Sequence, residues 1–409
     1  MNDRVKTFID ACGIGPDTMD KELFINSFIS EMEKGVAREE SSLPMIPTYV
    51  YCNEQLPMDK YAVAVDVGGT NFRTALIKFT EEGAKIEQFN SYPTPGTRGK
   101  VSWQEFIGFI ADCIRPMMEY TDRIAICISF PTSITPERDG IIHRPTKEVY
   151  IEGYEGRRVC EDLLATLKIE GAKAMVLNDT TAVLLCGLMR KMDPLGLIGL
   201  INGTGTNTCC VLPCEKLRMD GSNIIVVVES GGFVPPQRGV IDLELDANTI
   251  APGIYIEEKL VSGAYMGEIC RRAFVKAATQ GIFSEECARN IAKIESFTTH
   301  DADAFGAGGE NDIFTEEADK EAARMIIKAV FDRAAKHIAC TLTAVMRYSG
   351  MEEGREVVVS ADGSMFRKSR LFRPALERYV SEYAEGRTIK YMEIENSTII
   401  GTAIGALMN

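Results

Sequence analysis

Residues 66–73 have the composition of a site that binds a phosphate group. The segment follows the apolar run 61–65 and precedes a second apolar run, 74–77. This pattern predicts a strand, a glycine turn and a returning strand. Glycine lets the backbone N–H groups approach an anion, a carboxylate holds a metal ion, and polar side chains donate to phosphate oxygens. An ordinary hairpin turn is the alternative interpretation. The residues with these properties are Asp66, Gly68, Gly69, Thr70, Asn71 and Arg73.

A second group of such residues lies further along the chain. Asn178 and Asp179 follow a short apolar strand at 174–177 and precede a predicted helix. A carboxylate there could accept a proton from a substrate hydroxyl, or it could cap the helix. Residues 197–212 repeat the strand, turn and strand pattern. Their turn, Gly203, Thr204 and Gly205, predicts a second phosphate clamp.

Polar residues at other predicted strand ends and helix starts suit a sugar, whose hydroxyls both donate and accept hydrogen bonds. Lys147 is the candidate cation near a transferred phosphoryl group. The alternative makes Lys147 a solvated lysine and Glu258 part of an exposed charge cluster, residues 257–259. The candidate residues are Ser129, Phe130, Thr146, Lys147, Asn207, Glu229 and Glu258.

A third apolar strand, residues 357–359, leads to an Asp-Gly turn at Asp362, Gly363 and Ser364. Near the C-terminus, residues 396–406 predict a helix with a small-residue face that packs closely on a neighbour. The predicted elements follow the order strand, strand, helix, strand, helix in both halves, so we expect an α/β fold with two related halves. Residues 298–311, rich in Gly, Ala and Asp, predict a surface loop.

Composition narrows the class of protein. The 409 residues allow two domains, and 45% hydrophobic with 25% charged residues is ordinary for a globular protein. A net charge of −14 argues against nucleic-acid binding. The 12 cysteines are scattered, which fits a reducing cytosol and makes a zinc site improbable. We therefore expect a cytoplasmic protein with no membrane segment and no nucleic-acid partner.

These motifs together resemble a known family, the eukaryotic-type hexokinases of the actin-like ATPase superfamily. Residues 66–73 resemble its first phosphate motif, LDLGGTNFR, and residues 202–207 are similar to the second, VGTGxN. Residues 128–131 resemble its FSFP sugar motif, and 178–180 its catalytic NDT. Residues 257–268 are similar to FEKMxSGMYLGE, and 359–364 to the adenosine motif VGVDGS. The matches follow the family order from about residue 20 to the C-terminus.

The resemblance implies a two-lobed α/β actin-like ATPase fold, also called ribonuclease H-like, with a cleft between a small and a large domain. We expect residues 1–58 in the large domain, 59–178 in the small domain, 179–395 in the large domain, and a helix at 396–409 returning to the small domain. Hinges are expected near 178–180 and 395. The substrates implied are a hexose and Mg-ATP, in a monomer or homodimer.

The resemblance also implies residue roles. Asp179 is the base for the sugar 6-hydroxyl, with Lys147 beside it. Asp66 holds magnesium, through water. The sugar would be bound by Ser129, Phe130, Thr146, Lys147, Asn178, Asp179, Asn207, Glu229 and Glu258. ATP would be surrounded by Asp66, Gly68, Gly69, Thr70, Asn71, Arg73, Gly203, Thr204, Gly205, Asp362, Gly363 and Ser364.

The sequence departs from the family pattern in four places. Pro145 stands where the family has Trp, Glu148 where it has Gly, and Ser230 where it has Trp. The basic residue of the C-terminal GSGKG motif is absent from residues 397–401. These departures leave the sugar open among glucose, mannose, fructose and an amino sugar. They also motivate an alternative function, a hexose sensor with slow turnover.

Overall fold

The computed structural model describes residues 2–52, 56–145, 149–190 and 192–409. Its strands form two main sheets. We number the strands in chain order: β1 (Ile46–Tyr51), β2 (Lys60–Val67), β3 (Asn71–Thr80), β4 (Gly83–Pro93), β5 (Val101–Ser102), β6 (Arg123–Ile128), β7 (Thr132–Ile134), β8 (Gly140–Ile142), β9 (Ile151–Glu152), β10 (Lys173–Leu177), β11 (Leu197–Asn202), β12 (Thr206–Pro213), β13 (Asn223–Val227), β14 (Glu356–Asp362) and β15 (Thr388–Met392).

The two sheets share one topology. The small sheet has the order β10-β6-β2-β3-β4, and the large sheet has β15-β14-β11-β12-β13 followed by β1. In each sheet the first three strands are parallel, and the next two pair antiparallel to their neighbours. The central hairpins, β2–β3 and β11–β12, therefore occupy equivalent positions. Each carries one of the glycine turns, so the repeat predicted from the sequence is present in the topology.

The helices surround these sheets. Their bounds are α1 (Asn2–Cys12), α2 (Lys21–Ala37), α3 (Trp103–Ile114), α4 (Val159–Leu167), α5 (Asp179–Cys186), α6 (Val240–Ala247), α7 (Ile256–Val261), α8 (Met266–Thr279), α9 (Glu285–Ile291), α10 (Thr299–Gly306), α11 (Glu317–Tyr348), α12 (Ser364–Lys368), α13 (Phe372–Glu382) and α14 (Ser397–Leu407).

Two helices lie between the sheets. Helix α5 packs on β11 and β14 of the large sheet, and α14 packs on β2, β6 and β10 of the small sheet. The two helices also pack on each other, and a hydrophobic core with residues from both sheets encloses them. The chain thus passes from β10 of the small sheet into α5 at Asn178. It passes from β15 of the large sheet into α14 before Ser397.

The start of α3 follows from its sequence. Ser102 accepts a hydrogen bond from the N–H of Glu105, whose side chain accepts one in return, so a capping box starts α3. The lone Trp103 is buried at this helix start and donates from Nε1 to Asp162 over 2.6 Å. Among the described residues, no helix is long and apolar enough to cross a membrane.

One sequence-based prediction about local structure is wrong. Residues 298–311 do not form a loop throughout, because Thr298 and Asp301 make a capping box that starts α10. Helix α2 continues past Gly35 to Ala37 and closes with Arg38 in the left-handed conformation. Gly35 allows close packing, because a Cβ there would lie 1.9 Å from the carbonyl oxygen of Leu43.

Candidate active site

The first glycine turn joins β2 to β3 at the edge of the small sheet. Asp66 lies opposite Arg73 across the hairpin, and Arg73 Nη1 is 3.6 Å from Asp66 Oδ2. The N–H of Gly68 donates to the carbonyl of Asn71 over 3.0 Å, which closes the turn. The turn leaves Thr70 exposed, and Asp66 is buried beneath it. The hairpin therefore presents polar donors above a buried carboxylate.

Thr94 stabilises this turn by two hydrogen bonds, a role that the sequence did not indicate. Its hydroxyl donates to the carbonyl of Gly68 over 2.7 Å, and its N–H donates to the carbonyl of Thr70 over 3.1 Å. Thr94 itself is buried. These two bonds satisfy the carbonyls of Gly68 and Thr70 and hold the turn in place.

Asp179 is the first residue of α5, directly after β10. The N-cap of this helix is Asn178, whose side chain accepts from the N–H of Thr180 over 2.8 Å. The same N–H lies 2.7 Å from Asp179 Oδ1. Since Asn178 occupies the cap position, capping alone does not explain Asp179. The N-terminus of a helix also favours negative charge, which supports a carboxylate at this point.

The second glycine turn joins β11 to β12 in the large sheet. The N–H of Gly203 donates to the carbonyl of Gly205 over 2.9 Å, and the carbonyl of Gly203 accepts from the N–H of Gly263 over 2.6 Å. Thr204 is exposed at the tip. Next to the turn, the N–H of Thr206 donates to Glu258 Oε2 over 3.1 Å. The predicted phosphate clamp therefore lies directly beside Glu258, a residue predicted to bind the sugar.

Glu229 and Glu258 come from different segments of the chain. Glu229 has a positive φ of 60° and accepts from Asn207 Nδ2 over 2.8 Å. A non-glycine residue in the left-handed region is uncommon and often marks a functional position. Glu258 lies on α7, whose neighbouring residues Glu257 and Lys259 are buried. The exposed charge cluster expected as an alternative at 257–259 is therefore wrong.

The Asp-Gly turn at the end of β14 packs against the second glycine turn. Gly363 has a φ of 108°, and a Cβ there would lie 2.3 Å from the carbonyl oxygen of Asn202. Asp362 Oδ1 accepts from Arg367 Nε over 2.7 Å, and Asp362 Oδ2 accepts from the Ser397 hydroxyl. Ser364, at the start of α12, is exposed. The sequence did not identify Arg367, because its contact with Asp362 depends on the turn between them.

One cavity of about 780 Å³ lies between the two sheets. It is also lined by residues that sequence reasoning missed, among them His143, Val234 and Tyr255. The predicted residues Thr146 and Lys147 lie outside the described residues. The predicted site residues that line this cavity are Ser129, Phe130, Asn178, Asp179, Gly205, Asn207, Glu229 and Glu258.

The remaining predicted residues do not line the cavity. They lie on three turns: that of the first hairpin, that of the second, and the Asp-Gly turn after β14. Asp179 connects the two groups electrostatically. In addition to burial, the charge of Asp179 raises the pKa of Asp66, and the charge of Asp362 raises the pKa of Asp179. The residues concerned are Asp66, Gly68, Gly69, Thr70, Asn71, Arg73, Gly203, Thr204, Asp362, Gly363 and Ser364.

The carboxylates of the site have raised pKa values. Burial raises the pKa of Asp66 to about 6, against the opposing effect of Arg73. Burial is also the main cause that raises the pKa of Asp179, Glu229 and Glu258. For Glu229, the charges of Asp179 and Glu258 add to the effect. A group of partly desolvated carboxylates in a cleft is typical of a functional site.

Comparison with known proteins agrees with this arrangement. Two family models, both described as Hexokinase, match residues 4–189 and 197–408. The chain belongs to the hexokinase family. The two matched segments leave only residues 190–196 between them, so the hexokinase match includes both glycine turns, Asp179 and the carboxylates of the cavity.

Individual hexokinases are distant relatives of this chain. Human Hexokinase-2 is 27% identical over 418 residues, which cover 92% of this chain and 45% of that protein. The hexokinase of Kluyveromyces lactis is 26% identical and matches 94% of this chain and 88% of its own length. The chain therefore spans about half the length of the human relatives it matches.

Solved hexokinase structures share the fold. The hexokinase from Schistosoma mansoni, described as complexed with glucose, has a TM-score of 0.77 at 23% identity, with 99% of both chains covered. A second structure, titled "Crystal structure of Hexokinase", has a TM-score of 0.81 at 20% identity, with 100% of both chains covered. The hexokinase fold thus accounts for the whole chain, and it has the two-lobed architecture of the actin-like ATPases.

Proposed function

We propose that this protein is an ATP-dependent hexokinase that transfers the γ-phosphoryl group of ATP to the 6-hydroxyl of a hexose, the entry step of hexose metabolism. The observation that carries the proposal is the position of Asp179. It lines the cavity together with Asn207, Glu229 and Glu258, and it interacts electrostatically with Asp66 and Asp362 on the predicted nucleotide turns. A base at the border of a sugar site and a phosphate site is what this transfer requires.

The cavity provides acceptors for sugar hydroxyls. The carboxylates of Glu229 and Glu258 accept hydrogen bonds, while Asn178 and Asn207 both accept and donate. Phe130 supplies an apolar surface for the ring, and Ser129 lies beside it. In our proposal Thr146 and Lys147 complete the site. Glucose is the first candidate substrate, because the similar Schistosoma mansoni hexokinase is described as a complex with glucose.

Asp179 is the proposed general base. Its pKa is raised by burial, which makes the ionised carboxylate a better proton acceptor than that of an ordinary aspartate. The oxygen of the 6-hydroxyl attacks the γ-phosphorus of ATP as its proton moves to the carboxylate of Asp179. The bond from that phosphorus to the bridging oxygen breaks, and ADP leaves. Lys147 is the proposed cation beside the transferred group.

The turns fit a nucleotide triphosphate. Gly203 and Gly363 pack so closely that a Cβ on Gly203 would lie 3.2 Å from Gly363 Cα. Backbone N–H groups of the turns, with Thr70, Asn71, Arg73 and Thr204, would hold the phosphates. Ser364 and the Asp362–Gly363 turn would hold the adenosine end.

Magnesium fits a site with one protein carboxylate. Among the described residues there is no group of three His, Cys, Asp or Glu side chains that could hold a metal ion. Mg²⁺ commonly binds through one or two carboxylates, waters and the phosphates of the substrate, and buried Asp66 suits that arrangement. When bound, the ion would neutralise phosphate charge during transfer.

The lobes would close over the substrates. We place the small domain at residues 59–178 and the large domain at 1–58 and 179–395, with a C-terminal helix, 396–409, returning to the small domain. The packing of α14 on β2 and β6 supports that return. Closure would exclude water, which otherwise competes with the hexose for the phosphoryl group. We further propose a monomer or homodimer. We also propose a cytoplasmic location, which the 12 free thiols support.

Coupled ADP production tests this function. Purified protein with Mg-ATP is assayed against glucose, mannose, fructose, glucosamine and N-acetylglucosamine. Turnover on at least one sugar, and little ADP release without sugar, is expected. If no sugar is phosphorylated but calorimetry shows hexose binding, the alternative of a low-turnover hexose sensor replaces the kinase. The absence of both turnover and binding would contradict both hypotheses.

A further inference from the structure

Glu257, the neighbour of Glu258 on α7, is a buried carboxylate that the proposed reaction does not use. It is 0% exposed, and its two oxygens lie 3.1 and 3.0 Å from Nδ1 of His337, which is also buried. This is the geometry of a ring N–H that donates to a carboxylate. His337 belongs to α11, the long helix of the large lobe. The pair therefore fastens the short helix α7 to a long, buried helix.

Two phenylalanines connect Glu257 and His337 by a second route, so that the four residues form a closed ring of contacts. The ring of Phe24 lies edge-on to the His337 ring at 5.1 Å and to the Phe233 ring at 4.9 Å. The carbonyl of Phe233 accepts a hydrogen bond from the N–H of Glu257 over 3.0 Å. We call Phe24, Phe233, Glu257 and His337 the anchor cluster. All four residues are buried, so each contact limits the movement of the others.

The anchor cluster reaches two of the carboxylates that line the cavity, Glu229 and Glu258. Glu258 follows Glu257 in the same helix. Phe233 ends a turn that begins at Glu229, where the N–H of Gly232 donates to the carbonyl of Glu229 over 2.9 Å and that of Phe233 to the carbonyl of Ser230 over 3.2 Å. Glu258 and Glu229 are thus attached to one rigid group of side chains.

We propose that Glu257 and His337 are positioning residues for hexose binding: their buried pair holds α7 and the 229–233 turn so that Glu258 and Glu229 face the sugar. This inference rests on the proposed function. Removing one partner leaves the other buried and unpaired, which forces α7 to move or to admit water. Since hydroxyl recognition requires accurate placement, a small movement of α7 weakens sugar binding before it affects the nucleotide turns.

The chain offers a matched control on the same helix. Arg333, four residues before His337 on α11, pairs with Asp242 of α6 through bonds of 2.7 and 2.8 Å. Both side chains are buried, and neither lines the cavity. Breaking this pair also leaves a buried group without its partner. It therefore separates a general loss of stability from a specific effect on the sugar site.

The experiment compares Glu257→Ala, His337→Ala, Glu257→Gln and Asp242→Asn. For each variant the KM for the hexose, the KM for Mg-ATP, the kcat and the melting temperature are measured. We expect Glu257→Ala and His337→Ala to raise the hexose KM by about tenfold or more, with the Mg-ATP KM changed by less than about twofold. Glu257→Gln keeps an acceptor for the ring N–H of His337, so this variant should retain most of the hexose affinity of the unmodified protein. Asp242→Asn should lower the melting temperature without changing the hexose KM.

The Glu257→Ala/His337→Ala double variant adds a second criterion. If the two residues act as one unit, the double variant raises the hexose KM no further than either single variant. An unchanged hexose KM in folded Glu257→Ala would overturn the proposal. An equal rise in the hexose KM of Asp242→Asn would overturn it as well, because the effect would then follow stability alone.

Failure of the proposed function gives a different result. If the unmodified protein binds hexose without turnover, dissociation constants from calorimetry replace KM values in the same comparison. If it neither binds nor phosphorylates any hexose, both proposals are wrong. If the alanine variants do not fold, His337→Gln, which removes the imidazole ring that pairs with Glu257, is compared with Asp242→Asn instead. Hexose affinity in His337→Gln equal to that of Asp242→Asn would then refute the positioning role.

Discussion

Gly205 lies directly against Glu258: a Cβ at Gly205 would be 2.6 Å from Glu258 Oε2 and 3.4 Å from its carboxyl carbon. The same Oε2 accepts the hydrogen bond from the N–H of Thr206. The glycine of the second turn therefore leaves the space in which a sugar-facing carboxylate is held. The second glycine turn and the predicted sugar site therefore meet at this contact.

Gly205→Ala should weaken sugar binding more than it weakens the fold. The new methyl group meets the flexible end of Glu258, which can move away but then loses its bond from Thr206. Because a hydrogen bond to a charged group is lost, we expect the hexose KM to rise about 10- to 100-fold. Steady-state kinetics with a melting curve measure both effects. Gly108→Ala is the control, since a Cβ at Gly108 has no atom within 4 Å. An unchanged hexose KM in Gly205→Ala would contradict the assigned role of Glu258.

Asp66→Asn should stabilise the free protein at neutral pH while reducing activity. Burial raises the pKa of Asp66 from 3.8 to about 6, so the folded protein favours the protonated carboxyl and must hold a buried charge at pH 7. Removing that charge should add about 1–3 kcal/mol to the free energy of unfolding. The gain should be largest above pH 6 and shrink as the pH falls toward the unfolded value of 3.8. Urea unfolding at several pH values measures it.

The same variant should lose the stabilisation that Mg-ADP gives the unmodified protein, because Asp66 is the proposed magnesium carboxylate. A melting-temperature increase with Mg-ADP that is equal in both proteins would exclude Asp66 from the metal site. Lower stability of free Asp66→Asn at pH 7 would show instead that the ion pair with Arg73 outweighs the burial of the charge.

The pH dependence of turnover should reflect the raised pKa values. Asp179 must be ionised to accept a proton, and burial raises its pKa above that of an ordinary aspartate, about 3.9. As pH falls, Asp179 is therefore protonated earlier than an ordinary aspartate, and kcat/KM for the hexose should decrease below an apparent pKa that is higher than this value. Glu229 and Glu258 shift in the same direction, so the apparent pKa belongs to the group of carboxylates. A profile that stays flat down to about pH 4 would contradict the role of Asp179 as base.

Gly401→Ala should strongly destabilise the protein. Helix α14 crosses α5 at Gly401, where a Cβ would lie 1.7 Å from the carbonyl oxygen of Ala182. That atom belongs to backbone and cannot move without separating the two helices between the sheets. We expect a loss of at least about 3 kcal/mol in the free energy of unfolding. Gly108→Ala should instead gain about 0.5–1 kcal/mol, since it places alanine in a helix interior without a clash. Denaturant unfolding of both variants provides the comparison, and a stable Gly401→Ala protein would contradict the close packing.

Local features of the site could be predicted from the sequence, because short segments determine them. The turn at Gly68 and the helix start at Asp179 each depend on neighbouring residues, and the hairpins and α5 are present as expected. Composition was a weaker guide at residues 298–311, where the Thr298–Asp301 capping box outweighed the turn-forming residues. The roles of the site residues stay predictions that the variants above test.

Features that depend on distant segments could not be predicted. Thr94 braces a turn formed by residues that precede it by more than twenty positions. Glu257 and Lys259 look like surface charges in the sequence. Their burial depends on His337 and Asp246, partners that only the fold brings close. Spacing along one helix does not show whether a charged residue has a buried partner elsewhere, so the anchor cluster could not be recognised from sequence.

The most direct test of the account is the Asp179→Ala variant, assayed for ADP production with hexose and for hexose binding by calorimetry. The account predicts that turnover falls by about 10²- to 10⁴-fold while the hexose dissociation constant changes little. Gly108→Ala, assayed in parallel, should keep both values. Full turnover in Asp179→Ala would contradict the central claim that this carboxylate accepts the proton of the sugar hydroxyl.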